Sequence, residues 1–158
     1  MEIEYLTDLQ NFSSMDYSGN TITNKPIPVE EILELEKQFN NGDMFPKALR
    51  ELLFLAGNSC KLLDYSIFNS QKELQEFIIE DLKEDGLKME RPYYVLEVYD
   101  GGSPFYFVYL DEGDNPAVYV AKNEYEELEI IKIKDSLSVF LSHLIQCDKE
   151  EIERRNRN

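Results

Sequence analysis

Apolar positions recur with a helical period in four segments of the chain. The predicted helices cover residues 28–40, 46–56 and 70–84, followed by a last helix that begins at residue 135 or 136. The apolar positions from Leu49 to Ala56 have the 3, 4, 7 spacing of one buried helical stripe. Ser70 and Glu73 match a capping box, in which a hydroxyl and a carboxylate each accept a hydrogen bond from a free backbone N–H. Glycine follows each of the first three helices, and at Gly57 we expect a left-handed C-terminal cap.

Strand-like patterns occupy much of the remaining chain. The predicted strands are 62–68, 93–99, 104–110, 117–121 and 128–133. In the second of them, alternation places Tyr94 on the core side and Glu97 on the opposite, polar side. The third is apolar on both faces, which is typical of a central strand covered on both sides. Between these two strands, Asp100-Gly101-Gly102 provides the positive φ angles of a tight hairpin.

The strands are grouped rather than alternating with helices, which favours an α+β class with helices packed on a largely antiparallel sheet. We expect about five or six strands and about four helices in a single domain that spans residues 1–158. Its core would cover residues 28–147, after a polar lead-in with one short element. The charged tail, residues 148–158, would fray or extend the last helix.

The balance of charged residues excludes several classes of partner. The chain has 16 Lys and Arg residues against 32 Asp and Glu residues, which gives a formal net charge of −16. A protein of this charge repels phosphate backbones and anionic membrane surfaces, so we exclude nucleic acid and membrane as partners. No apolar run approaches the roughly 18 residues of a membrane span. The acidic start of the chain lacks the pattern of a signal peptide, which predicts a cytoplasmic location.

Half of the net charge is concentrated in residues 97–129, where nine acids stand against one base, Lys122. A solvated rim that maintains solubility explains such an excess, and so does a docking surface for a basic protein. For the docking hypothesis, the carboxylates predicted to bind the partner are Asp111, Glu112, Asp114, Glu124, Glu126 and Glu127.

The same region is rich in tyrosine, with seven of the ten tyrosines between residues 93 and 125. Strand propensity accounts for most of this enrichment. Tyrosine is also a common interface anchor, and its ring attracts Lys and Arg by cation–π contact. The tyrosines predicted to line the docking surface, although some of them must belong to the core, are Tyr99, Tyr106, Tyr109 and Tyr119.

The sequence offers little for catalysis, so we predict a protein without enzymatic activity. His143 is the single histidine, and Cys60 and Cys147 match no metal or redox spacing. We therefore expect two buried, reduced thiols and neither a metal nor a cofactor. Gly101-Gly102 lacks the lysine and helix of a phosphate-binding loop, and residues 111–115 fail the spacing of a calcium loop. Glycoside hydrolysis by paired carboxylates stays open as a third hypothesis, which needs a concave site with two acids about 5–9.5 Å apart.

Five segments, taken in order, resemble the SUKH superfamily of small immunity and regulatory proteins. The family pattern comprises a first helix with I-x-x-x-E, a proline step that opens the second helix, a strand with an acid-glycine turn, a P-x-V-Y strand, and a closing S-x-x-x-F-L helix. In this chain the matching residues are Ile32 with Glu36, Phe45-Pro46, residues 107–113, residues 116–119, and Ser136 with Phe140 and Leu141. The chain departs from the family at residues 56–59, which are Ala-Gly-Asn-Ser where the family often has Asn-Gly-Gly.

The resemblance implies a SUKH-like fold and a role in protein binding. Many bacterial members are similar to immunity proteins, which bind and neutralise polymorphic or contact-dependent toxins, often nucleases. A nuclease is usually basic where it grips phosphate, so an acidic protein can occupy or block that site. Our leading hypothesis is therefore a non-enzymatic immunity protein that binds a basic toxin domain, with a nuclease as the candidate class, through residues 97–129. The alternative is an interaction module that regulates envelope or cell-wall assembly, and the oligomeric state is left open.

Overall fold

The computed structural model describes residues 1–124 and 126–158; Tyr125, one of the seven clustered tyrosines, lies outside the described residues. Within these ranges the chain forms five helices and six strands. In chain order they are α1 (Thr7–Gln10), β1 (Ser14–Met15), β2 (Thr21–Ile22), α2 (Val29–Phe39), α3 (Lys47–Ala56), α4 (Gln71–Glu84), β3 (Tyr93–Val98), β4 (Phe105–Tyr109), β5 (Val118–Glu124), β6 (Glu127–Lys134) and α5 (Leu137–Arg157).

The four longer strands form one antiparallel meander in the order β3-β4-β5-β6, while β1 pairs with β2 in a separate two-stranded sheet. The predicted α+β class is confirmed, and so is the antiparallel pairing. Four of the predicted strands form the meander, and the second sheet consists of β1 and β2, which were not predicted. The lead-in contains more structure than predicted, because it forms both α1 and the β1–β2 hairpin.

Strands β3 and β4 are buried on both faces, so the domain has two apolar cores. On one face, α2, α3 and α5 enclose Leu96 and Val108, and on the other face α4 packs on Phe105 and Phe107. The consecutive residues Phe107 and Val108 of β4 point to opposite cores, and each is 0% exposed. The prediction of a central strand covered on both sides is therefore confirmed.

A buried carboxylate on α3 anchors the start of the chain to the first core. One oxygen of Glu51 accepts hydrogen bonds from the backbone N–H groups of Glu4, Tyr5 and Leu6, at 2.9, 2.9 and 3.1 Å. Three backbone donors on one carboxylate compensate for part of the cost of burying its charge. The contact fixes the segment that leads into α1 against the core helices.

Residues 62–68 form a loop, so the predicted strand is wrong. The Ser66 N–H donates to the Asp64 side chain at 2.7 Å and Ser66 has a φ of 58°, which together turn the chain. The Asp64 carbonyl then accepts a hydrogen bond from the Val98 N–H, which ties the loop to β3. The segment is apolar because Leu63 and Tyr65 pack into the core, and the Tyr65 hydroxyl donates to a carbonyl at the end of α3.

Gly57 does not adopt the predicted left-handed cap. Its φ of −68° and ψ of −25° are right-handed helical values. Glycine is required here for space, because a Cβ would lie 2.6 Å from the Leu53 carbonyl oxygen and 2.8 Å from the Ile27 side chain. The Ile27 N–H donates to that same carbonyl, so the segment before α2 packs directly on the end of α3.

Serine caps begin both α4 and α5. The Ser70 hydroxyl accepts a hydrogen bond from the Glu73 N–H at 3.1 Å, as the capping box predicted, although the Glu73 carboxylate binds the N–H of Asn69 instead of that of Ser70. The Ser136 hydroxyl accepts from the Val139 N–H, so Ser136 is the cap of the last helix. That helix continues through the charged tail to Arg157.

A side chain of α4 closes the β3 edge of the meander. The buried amide of Gln75 donates to the Val95 carbonyl and accepts from the Val95 N–H, both at 2.8 Å. These two hydrogen bonds replace those that a neighbouring strand would make. One turn earlier, buried Gln71 accepts from the Tyr94 hydroxyl at 2.8 Å, so α4 is aligned along β3 by polar as well as apolar contacts.

Replacing Gln75 with alanine is expected to lower the free energy of unfolding by about 2–4 kcal/mol, because two buried backbone groups of Val95 lose their partners. Lys72→Ala, on the exposed side of the same helix, is the matched control and should change stability by no more than about 0.5 kcal/mol. Urea unfolding followed by far-UV circular dichroism measures both. Equal effects of the two substitutions would contradict the role of Gln75 as an edge partner.

Candidate partner-binding surface

The fold separates the predicted carboxylates into two groups at opposite ends of the meander. Asp111, Glu112 and Asp114 lie in the loop between β4 and β5, and Glu124, Glu126 and Glu127 lie where β5 turns into β6. β5 connects the two ends, and its seven residues span about 20 Å. The six carboxylates therefore do not form one continuous surface.

The end that carries Glu124 is enlarged by acids in and beside α4, which lie outside residues 97–129 and were not predicted. The carboxylate of Asp85 accepts a hydrogen bond from the Asn123 amide of β5. Asp81, one turn earlier, packs on the β3–β4 turn, where a Cβ added to Gly102 would lie 3.0 Å from its carboxylate oxygen. We call this region the acidic end and define it by seven residues: Asp81, Glu84, Asp85, Asp100, Glu124, Glu126 and Glu127.

Charge in the acidic end is uncompensated. None of its seven carboxylates takes part in an ion pair with another residue of the described chain. Partial burial raises the pKa of Asp81, and the negative charges of Asp85 and Glu84 raise it further. Like charges that repel one another in this way favour the approach of Lys or Arg side chains from a partner.

In the opposite group, Asp111 and Glu112 are already paired with a cation of the chain itself, whereas exposed Asp114 takes part in no ion pair with another described residue. Arg91 binds Asp111 with two hydrogen bonds, at 2.6 and 3.1 Å, and Glu112 at 3.0 Å. Its guanidinium also lies 3.8 Å from the centre of the Tyr109 ring, and the Tyr119 hydroxyl donates to Glu112 at 2.8 Å. Arg91 holds the pKa of Asp111 below its usual value. Arg91, a residue of the same chain, thus makes the carboxylate and cation–π contacts that we had predicted for a partner's side chains.

The four predicted tyrosines differ in exposure. Tyr109 is buried, Tyr119 is half-buried, and half-buried Tyr106 stacks on Phe140 with 6.1 Å between ring centres. Tyr99 is 38% exposed and directly precedes Asp100 of the acidic end. Tyr99 is therefore the one member of the set that is placed to act as an aromatic anchor beside these carboxylates.

Glu97 is buried, so its predicted position on the polar side of β3 is wrong. A bulge between Val95 and Glu97 shifts the register with β4 and places Glu97 on the same buried face as Tyr94, where it is 3% exposed. Its carboxylate accepts hydrogen bonds from the Asp64 N–H at 2.9 Å and from the Tyr99 hydroxyl at 3.1 Å. Burial raises the pKa of Glu97, and these hydrogen bonds offset part of the rise. Glu97 therefore orients Tyr99 and contributes no exposed charge.

The described residues lack two arrangements that could support catalysis. They contain no cluster of three or more His, Cys, Asp or Glu side chains that could hold a metal ion. Five clefts on the surface are each lined by at most one acidic residue, so none of these five provides the pair of carboxylates that glycoside hydrolysis needs. Cys60 is buried and its pKa is raised to about 11 by burial, whereas Cys147 is exposed, contrary to prediction.

Fold and sequence together define the class of this protein. A four-stranded antiparallel meander lies between helices on both faces, and no helix in the described ranges has the length and apolar character needed to cross a membrane. Residues 26–143 match the SMI1 / KNR4 family (SUKH-1), and the chain belongs to that family. Comparisons with curated proteins and with solved structures gave no match. The family includes immunity proteins that bind toxins as well as regulatory proteins.

Glu97→Gln tests the buried carboxylate through pH. Because the pKa of Glu97 is raised on folding, the folded protein binds this proton more tightly than the unfolded chain does. The wild type should therefore gain stability relative to E97Q as the pH falls from about 7 towards the ordinary glutamate pKa of about 4.3. Urea unfolding of both proteins across this range measures the difference in free energy. A difference that stays constant with pH would contradict the raised pKa.

Proposed function

We propose that this protein is a non-enzymatic immunity protein that acts in the cytoplasm by binding and neutralising a polymorphic or contact-dependent toxin. The proposed partner is a basic toxin domain. A nuclease is the favoured class, because the surface that grips nucleic acid carries positive charge. Family membership supports the class of function. The observation that carries the proposal is the acidic end, whose carboxylates lack ion-pair partners in the described chain.

The acidic end suits a basic partner for two physical reasons. Its carboxylates are mostly exposed, so a partner's Lys and Arg side chains can reach them without breaking internal ion pairs. Concentrated negative charge also attracts a basic protein over distances near the Debye length, about 8 Å at physiological salt. Electrostatic attraction of this kind mainly raises the association rate and selects the sign of the partner.

Asp111, Glu112 and Asp114 remain part of the proposed surface, but in a secondary role. A partner's arginine that approaches Asp111 must share it with Arg91, which already binds both carboxylate oxygens. We therefore place first contact at Glu124, Glu126 and Glu127. In this proposal Tyr99 provides an aromatic contact beside them, and Tyr106, Tyr109 and Tyr119 support the sheet from within.

Reversing the charge of Glu124, Glu126 and Glu127 together to lysine is expected to abolish protection against the cognate toxin. At about 1 kcal/mol for each reversed charge, the affinity should fall by roughly 100-fold. Titration calorimetry with a catalytically inactive toxin domain measures the affinity. Survival of cells that express the active toxin measures protection.

Two further triple variants serve as controls. E2K/E30K/E150K makes the same change in net charge at exposed positions on other elements, and it should bind almost as the wild type does. D111K/E112K/D114K tests the opposite end of the meander. If that variant abolishes binding while the first triple variant binds normally, our placement of the interface is wrong. Far-UV circular dichroism establishes that each variant is folded.

The partner itself can be identified by co-purification with the product of the adjacent gene, followed by a salt series. An immunity role predicts a basic toxin whose affinity falls steeply as salt rises, because exposed charges are screened. Capture of an envelope or cell-wall assembly protein in place of a toxin would favour the regulatory alternative and overturn the proposal.

A further inference from the structure

The β6 edge of the meander is open. β6 is the last strand of the sheet, and within the described residues its backbone makes hydrogen bonds to β5 alone. Most of its eight residues are exposed, including Ile130 at 38% and Ile131 at 41%. An exposed strand edge of this length presents a row of free N–H and C=O groups that can pair with another strand.

The sequence of β6 is self-complementary in charge. Its first half carries Glu127 and Glu129, its second half carries Lys132 and Lys134, and the two isoleucines lie between them. An antiparallel neighbour of the same sequence places its basic half beside the acidic half of this strand. A parallel neighbour would instead place like charges side by side, which is destabilising.

Strand register brings these charges onto a common face. Ile131 pairs with Val120 and Glu129 pairs with Lys122, so Glu129 and Ile131 lie on one face of β6. The register then shifts between Val118 and Tyr119. Residue 133 is left without a partner on β5 as a bulge, and Lys134 pairs with Val118. Because Val118 and Val120 share a face, Lys134 is turned to the face of Glu129 and Ile131. Without the bulge, Lys134 would lie on the opposite face.

We propose that two copies of this chain pair along β6 in antiparallel orientation and form a continuous eight-stranded sheet. A two-fold axis through Ile131 brings the two Ile131 side chains together. It also places Glu129 of each copy beside Lys134 of the other, on the same face. The axis separates the two acidic ends, because each lies next to the opposite end of the neighbouring sheet. Glu127 lies in the paired strand itself, whereas the other six residues of the acidic end lie outside β6.

The interface is small and both copies are strongly acidic, so association is expected in the micromolar range, about −8 kcal/mol. The test is the molar mass from light scattering coupled to size exclusion, measured over roughly 1–500 µM protein. The wild type should rise from 18.5 kDa towards twice that value. A mass of 18.5 kDa at every concentration would overturn the proposal.

Charge exchange identifies the pairing. Glu129→Lys places two lysines side by side at each end of the interface and should leave the protein monomeric at concentrations where the wild type is a dimer. The double variant E129K/K134E exchanges the two charges and should restore the dimer. Glu30→Lys, an equal change in charge on α2, should leave the mass unchanged. Failure of the double variant to recover the dimer while it remains folded would contradict this register.

An engineered disulfide tests the position of the proposed two-fold axis. In a Cys147→Ser background, Ile131→Cys should form a disulfide-linked dimer under mild oxidation, because residue 131 lies opposite itself across the axis. Val139→Cys, at an exposed position of α5 away from β6, is the matched control and should stay monomeric. Equal crosslinking of the two variants would contradict the proposal.

Discussion

Burial of strands β3 and β4 on both faces is the constraint on which the rest of the structure depends. A sheet with apolar side chains on each face needs helices on each face, and α4 on one side and α2, α3 and α5 on the other meet that need. With both faces covered, the sheet meets solvent only at its turns and at its outer edge. The exposed charge that bears on function is consequently found at the ends of the meander.

Local patterns predicted the elements whose environment is set by neighbours in sequence. Periodicity predicted the apolar stripe from Leu49 to Ala56 and the strand around Phe107 that is covered on both sides. The spacing of Ser70 and Glu73 predicted the serine cap of α4. The errors arise where distant contacts decide the outcome. Gly57 is a glycine because Ile27 approaches it, and the 62–68 loop is bent by Asp64 and held by β3. Periodicity within one segment contains no information on either contact.

Glu97 shows that a single β-bulge can make a prediction from the alternation of side-chain directions wrong. In a regular strand it would lie on the face opposite Tyr94 and Leu96, as we predicted, but one shift of register with β4 places its side chain on the face of Tyr94, and α4 covers the face on which we had expected solvent. A run of charged residues in sequence therefore overestimates exposed charge. It also overestimates continuity, because successive turns of a meander lie at alternate ends of the sheet. That rule alone, applied to the predicted strands, would have separated Asp111 from Glu124. The contributions of Asp81, Asp85 and Arg91 could not be predicted in this way, because they depend on where α4 and the chain before β3 pack.

The two edges of the sheet are unlike, and this difference limits how the protein can assemble. On the β3 side the Gln75 amide occupies the positions of a neighbouring strand at Val95, and the Asp64 carbonyl binds the Val98 N–H, so a further strand cannot pair with these two residues. Of the two edges of the meander, as far as the chain is described, β6 is the one that is open along its length. A building block with one open edge cannot polymerise into a fibre, since the first pairing uses up the only growth site and leaves a closed assembly. The buried side chain of Gln75 thus limits how far this sheet can extend. The exposed β6 edge, which contains two isoleucines, can pair once, and the β3 edge does not continue the assembly.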